Sequence, residues 1–204
     1  QGLKIMARRD TLGLAALADV AGLKRKPDVY ALGFMLGPRL NAAGRIGHAD
    51  DALGLLMESH KGEAHNRARA LDDMNRQRQA IEMRVVEDAK AQAEASMGKE
   101  RKPSVIVTAS EGWHPGVVGL AAARLKEAYR LPSFALAMNK HTGLATGSGR
   151  SISGVDLGSA VRQALEQGLI TKGGGHAMAA GLTLKTEGLA ALRQFFDDTL
   201  AASV

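Results

Sequence analysis

The stretch Gly173-Gly174-Gly175-His176-Ala177-Met178-Ala179-Ala180-Gly181 holds the residues best suited to chemistry. The three glycines carry no β-carbon, so a phosphate or another backbone can come very close. His176 adds a titratable donor beside them. If Ala177 to Ala180 open a helix, its free N–H groups and positive dipole end point back at His176 and form an anion site. The same residues also read as a glycine turn between strand and helix, with His176 as a turn residue.

Three other polar, glycine-flanked stretches could join it. Leu36-Gly37-Pro38-Arg39-Leu40-Asn41-Ala42-Ala43-Gly44-Arg45 sets Arg39, Asn41 and Arg45 among small residues. Their guanidinium groups can fork onto phosphate oxygens, or cap helix C-termini from an interhelical loop. Glu111 to Gly119 contains Trp113 and His114. Trp113 can stack on a base and His114 can donate to a phosphate, or the indole can anchor its loop on a sheet. Gly147-Ser148-Gly149-Arg150-Ser151 spaces Ser148 and Arg150 by two, so on a strand end they point the same way. A hydroxyl and a guanidinium so placed clamp a terminal phosphate. Loops that follow strand ends in a strand–helix sheet can meet in one crevice.

Clustered metal ligands are not evident. Asp50-Asp51 and Asp72-Asp73 are adjacent pairs on helices and point apart, while His48, His60, His65 and His141 lie in polar contexts. No Ser-His-Asp pattern or phosphate-binding P-loop is present.

The chain has 204 residues, enough for one or two domains with a sizeable core. Charged residues make up 24% and aromatic residues 3%, so alanine, leucine and glycine do the packing in a globular protein. A formal charge of +6 favours an anionic partner such as nucleic acid. No apolar run is long enough to span a membrane and no export signal is visible, so the cytoplasm is the expected location. Cysteine is absent, which excludes disulfides and thiolate metal sites.

The periodicity sets these stretches on two kinds of structure. Gly2 to Arg8 and Thr11 to Ala21 read as helices, and Asp28 can cap a short apolar helix that Gly37-Pro38 stops. Arg39 to Gly47 reads as irregular, and Asp50 or Asp51 opens another helix. From Glu63 to Met97 neither proline nor glycine interrupts a stripe of Leu71, Met74, Ile81, Val85 and Ala89. That predicts one helix about 50 Å long at about 1.5 Å per residue, a connector between two lobes. Gly98 to Pro103 marks a boundary. Strands follow at Ser104–Thr108, Ser133–Met138, Leu144–Ser148 and Leu182–Leu184. Helices lie at Pro115–Tyr129, from Asp156 to Gln167, and after Thr186. The fold class is α/β: a helical N-terminal part (1–62), the connector helix (63–98) and a C-terminal α/β domain (99–204) whose mixed sheet is flanked by helices.

Taken in order, the four stretches resemble the RecJ-type single-stranded DNA exonucleases of the DHH phosphoesterase superfamily. Gly174-Gly175-His176 through Ala179-Ala180-Gly181 matches the GGHxxAAG motif of the DHH-associated domain. Leu36 to Arg45 is similar to LGPRLNAAGR, Trp113 to Gly119 to WHPGVVG, and Ser148 to Ser151 to SxRS. The resemblance implies that Ser148 and Arg150, with Ser151, Gly174 and Gly175 nearby, hold a 5′-phosphate or adjacent backbone. It implies help from Arg39, Asn41 and Arg45, and gives His176 a supporting catalytic role facing the scissile phosphate. It also implies a manganese or magnesium pair held by aspartates and histidines of a DHH lobe. Those motifs are expected before Gln1, and no metal ligand or cofactor is assigned within this chain. The implied partners are single-stranded DNA, the DHH lobe of the same enzyme and other DNA repair and recombination proteins, with no membrane. Two other readings stand beside it. One is a related DHH phosphodiesterase acting on short oligoribonucleotides, cyclic dinucleotides or adenosine bisphosphate. The other is a non-enzymatic module that binds single strands or a protein partner.

On this sequence reading, the purified chain alone is expected to cleave no nucleic acid with added manganese. Strand degradation that a chelator abolishes would contradict it.

Overall fold

In the computed structural model, residues 1–97 and 103–204 are described, and they form two compact units, Gln1–Ala80 and Ile81–Val204. The expected boundary at Gly98 to Pro103 falls, apart from Pro103, outside the described residues. The division between the units lies within a single helix rather than at its end.

The first unit is helical. It contains α1 (Gly2–Met6), α2 (Leu12–Val20), a π-helical turn (Ala31–Leu36), α3 (Gly37–Ile46), α4 (Ala49–Leu56) and the start of α5 (Lys61–Ser96). Leu17, Ala31, Leu36, Ala43, Leu55, Ala64, Ala68 and Leu71 make its core. Asp28 caps the π-turn as expected, accepting from the Ala31 N–H at 2.7 Å. Gly37-Pro38 does not end the helical path, which corrects the sequence reading. The π-turn carries the Gly37 N–H to the Leu32 carbonyl, and a β-carbon on Gly37 would lie 2.7 Å from that oxygen. Pro38 then sits in the first turn of α3, where its missing N–H costs nothing. Arg39 to Ile46 is therefore helix, not irregular chain.

The second unit is a five-stranded mixed sheet between helices. Its elements are the rest of α5, β1 (Ile106–Glu111), α6 (Pro115–Tyr129), β2 (Ser133–Asn139), β3 (Leu144–Arg150), α7 (Leu157–Glu166), β4 (Lys172–His176), β5 (Ala179–Lys185) and α8 (Leu189–Leu200). The strand order is β1-β2-β3-β5-β4, with β1 and β2 parallel and the other pairs antiparallel. One sheet face carries Phe134, Leu136, Ala145, Ala180, Leu182 and Leu184 into a core with Leu157, Val161, Leu192 and Phe196. The rings of Phe134 and Phe196 stack with centroids 4.8 Å apart. The other face is covered by α6 over β2 and part of β3, with Val117, Val118, Ala121, Ala122 and Leu125 buried. Beyond that, over β5 and β4, Gly174, His176 and Gly181 are exposed.

The outer edge of β1 is closed by side chains. Gln92 accepts from the Ala109 N–H at 3.1 Å, Arg193 donates to the Val107 carbonyl at 3.1 Å, and Asp197 accepts from the Ser104 N–H at 2.6 Å. Covering an edge this way prevents pairing with another chain.

Phe196→Ala is expected to destabilise the second unit by about 3–5 kcal/mol, the usual cost of removing a buried aromatic ring. Urea unfolding followed by the fluorescence of Trp113, the single tryptophan, measures it.

Candidate functional site

The glycine-histidine stretch is a hairpin, not a loop leading into a helix. β4 ends at His176, Ala177 and Met178 turn, and β5 begins at Ala179. Alternation explains why: Ala180, Leu182 and Leu184 all enter the core at period two, a strand pattern that continues through the small residues. The turn contains no glycine and is held from outside. The Ser151 N–H donates to the Met178 carbonyl at 3.0 Å, and the Leu157 N–H donates to the Ala177 carbonyl at 3.1 Å. Beneath the hairpin, the start of α7 is so close that a β-carbon on Gly158 would lie 3.0 Å from the Gly175 carbonyl oxygen and the His176 Cα. The helix N-terminus beside His176 is thus that of α7, which precedes the hairpin in sequence, and its cap is Asp156 accepting from the Ser159 N–H at 3.0 Å.

The antiparallel register sets the polar residues in rows across the open face. Arg150 pairs with Ala179, which pairs with His176. Ser148 pairs with Gly181, which pairs with Gly174. Paired residues share a face, and strands stand about 4.8 Å apart, so the Cα atoms of Arg150 and His176 are about 10 Å apart. Between them in the sheet stands Ala179. Arg150 Nη1 donates to Ser148 Oγ at 2.8 Å and to the Gly149 carbonyl at 2.8 Å. Ser148 and Arg150 do point the same way, as their spacing predicts. On α6, Gly119 faces this pair: a β-carbon there would lie 2.9 Å from Arg150 Nη2 and 3.1 Å from Ser148 Oγ.

His176 Nδ1 accepts from the Met178 N–H at 3.3 Å, and His114 Nδ1 accepts from the Gly116 N–H at 3.1 Å. With Nδ1 so occupied, each neutral ring carries its proton on Nε2 and presents it as a donor. His114 is also the N-cap of α6.

The remaining candidates stand elsewhere. Trp113 is only 8% exposed and its indole N–H donates to Asp88 at 2.9 Å. The indole anchors its loop to α5 and has little face left for a base, so base stacking is corrected to anchoring. Ser151 is buried, its hydroxyl donating to the Val155 carbonyl at 2.7 Å; it shapes the turn after β3 and does not reach the open face. In the first unit, Arg39 is held by the buried Asp72 at 2.8 Å and donates to the Met35 carbonyl at 2.6 Å. Asp72 also accepts from Arg76 at 2.5 Å. Arg39 thus fastens α3 to α5, sharing the Asp72 carboxylate with Arg76. Asn41 is exposed and Arg45 half-buried, spaced four residues apart on α3. Gly158 and Gly119 are the site residues that sequence reasoning missed, since each acts through packing visible only once α6 and α7 are placed, whereas the Asp156 cap follows from the sequence. Among the described residues no group of three or more His, Asp or Glu could hold a metal ion. No helix among them is long and apolar enough to cross a membrane.

A family model for the DHHA1 domain matches residues 102–202. The single-stranded-DNA-specific exonuclease RecJ of Bacillus subtilis is 36% identical over 204 residues, covering 98% of this chain and 25% of that protein. The enzyme of the same name from Escherichia coli is 37% identical over 203 residues, covering 97% of this chain and 35% of that protein. Among solved structures, RecJ from Thermus thermophilus in complex with Mn2+ superposes with a TM-score of 0.86 at 29% identity, covering 98% of this chain and 28% of that one. The same protein is also known in complex with Mg2+. The chain thus spans about a quarter to a third of the length of the curated relatives it matches.

Gly175→Ala is expected to open the hairpin, because its β-carbon would collide with the Ala179 carbonyl oxygen and the Ala180 Cα. A loss of about 1–3 kcal/mol is the scale for such overpacking. Amide hydrogen exchange should show lost protection across β4 and β5, with β1 and β2 unchanged.

Proposed function

The chain belongs to the RecJ-type family of the DHH phosphoesterase superfamily, and from that membership we propose that it is the substrate-gripping part of a 5′-to-3′ single-stranded DNA exonuclease acting in DNA repair and recombination. The observation that carries the reading is the row of Arg150, Ala179 and His176 on an open sheet face, with Ser148 bonded to Arg150. A guanidinium and a hydroxyl at one end suit a phosphate already charged in the ground state. The imidazole across the row offers an Nε2–H to a second phosphate oxygen. There it stabilises the negative charge that develops as a phosphodiester is attacked. The Met178 N–H and the clamped turn hold the ring in the donating tautomer, so no reorganisation is needed at the moment of reaction.

Manganese or magnesium, named with the Thermus structures, would supply the activated water in the whole enzyme. The described residues of this chain do not fit such an ion: the open face offers one imidazole and no carboxylate. In the whole protein, Asn41 and Arg45 on α3 would add contacts to the strand, and His114 a donor at the start of α6. Within that enzyme, residues 1–62 would end the DHH lobe, 63–98 would connect it onward and 99–204 would form the associated α/β domain.

Arg150→Ala and His176→Ala separate gripping from chemistry in an enzyme that joins this chain to a DHH lobe. In single-turnover cleavage, Arg150→Ala should raise the substrate concentration needed, most for 5′-phosphorylated strands. His176→Ala should slow cleavage at saturation by roughly a hundredfold or more, the scale of losing one oxyanion donor. A normal saturated rate for His176→Ala would reduce the hairpin to a structural element.

A further inference from the structure

The open face extends past the grip. Two residues back from Ser148 along β3 stands Thr146, and the register pairs it with Thr183 of β5, which pairs with Lys172 of β4. This third row repeats the first two at a distance of about 7 Å per row along the strands. Thr146 and Lys172 are exposed and Thr183 half-buried, with the two threonine hydroxyls 3.5 Å apart. The floor between the first and third rows is bare, because Ser148 faces Gly181 and Gly174, and a β-carbon on Gly174 would meet nothing within 4 Å.

Which residues point to this face is fixed by their neighbours. Gly173 lies against Ile170 and Val161, so Gly174 and Lys172 turn the other way. Leu182 and Leu184 fill the core, so Gly181 and Thr183 turn out. No Asp or Glu occupies a face position of β3, β5 or β4. The cations are Arg150, Lys172 and Lys185, of which Lys185 lies 3.9 Å from Glu187. A face with positive groups at both ends, hydroxyls between them and a glycine floor is complementary to a chain of phosphates, not to an apolar or acidic surface.

We infer that the Thr146–Thr183–Lys172 row is a second phosphate subsite, which takes the backbone of a single strand two nucleotides beyond the phosphate gripped by Ser148 and Arg150. The inference rests on the single-strand reading above. Lys172 supplies a point charge, and the two hydroxyls donate to the same or the adjacent phosphate. The glycine floor lets the sugar–phosphate chain lie against the sheet between the two contacts.

The test is binding of labelled, 5′-phosphorylated oligothymidine to the full chain across a salt series, with a dinucleotide and a longer strand compared. Lys172→Gln should leave the dinucleotide affinity unchanged and weaken the longer strand roughly fivefold. It should also lower the log–log salt slope by about 0.7, one phosphate contact on a single strand. Lys172→Arg should restore both. Arg150→Ala should weaken both ligands. Equal losses on both ligands for Lys172→Gln, or no loss on either, would overturn the second subsite; a retained Arg150 effect would then leave the grip standing. Absence of any wild-type binding at low salt would overturn both.

Discussion

The alternation of one strand, β3, governs both sides of the second unit. On its inner face stand Gly147 and Gly149. A β-carbon on Gly147 would lie 2.5 Å from Leu136 Cγ, and one on Gly149 would collide with the Phe134 ring. The glycines therefore let the largest side chains of β2 lie flat under β3, where Phe134 stacks on Phe196. The outer face of the same residues is Thr146, Ser148 and Arg150. A register slip of one residue would push a guanidinium into the core and bring the glycines outside. Core packing thus enforces the position of Ser148 and Arg150, and their placement needs no separate scaffold.

A second constraint acts on the hairpin. Its two-residue turn lacks the glycine or asparagine that usually relieves such turns, and its carbonyls are taken up by the N–H groups of Ser151 and Leu157. Both donors come from the segment that follows β3. The residue after Arg150 and the first residue of α7 therefore hold the hairpin that carries His176. Arg150 and His176 are tied through backbone as well as through the sheet ladder.

Much of this was legible in the sequence. The 36-residue helix α5, the strand–helix alternation and the shared direction of Ser148 and Arg150 follow from periodicity alone. What was not legible depended on neighbours distant in sequence. The run Ala177 to Gly181 looks like a helix start because its residues are small. It is a strand because Ala180 has a core to enter and Ser151 and Leu157 are there to hold the turn. Arg39 to Gly47 looks irregular because Gly37-Pro38 precedes it and Gly44 interrupts it, yet a π-turn absorbs the misfit before α3 begins. Trp113 and Ser151 carry groups capable of binding, and only their partners Asp88 and Val155 reveal that both are committed.

The closed edge of β1 has a consequence for how copies of the chain meet in a crowded solution. Because Gln92 and Arg193 occupy the outward Ala109 N–H and Val107 carbonyl and Asp197 takes the Ser104 N–H just before β1, β4 is the more open margin of the sheet among the described residues. That margin reads Lys172-Gly173-Gly174-Gly175-His176. Glycine has little tendency to stay extended, and a lysine at the start repels its own image in a second copy. Bareness that leaves the face open from above also makes the strand a poor template from the side. An open face and a poor edge thereby come from the same few missing side chains.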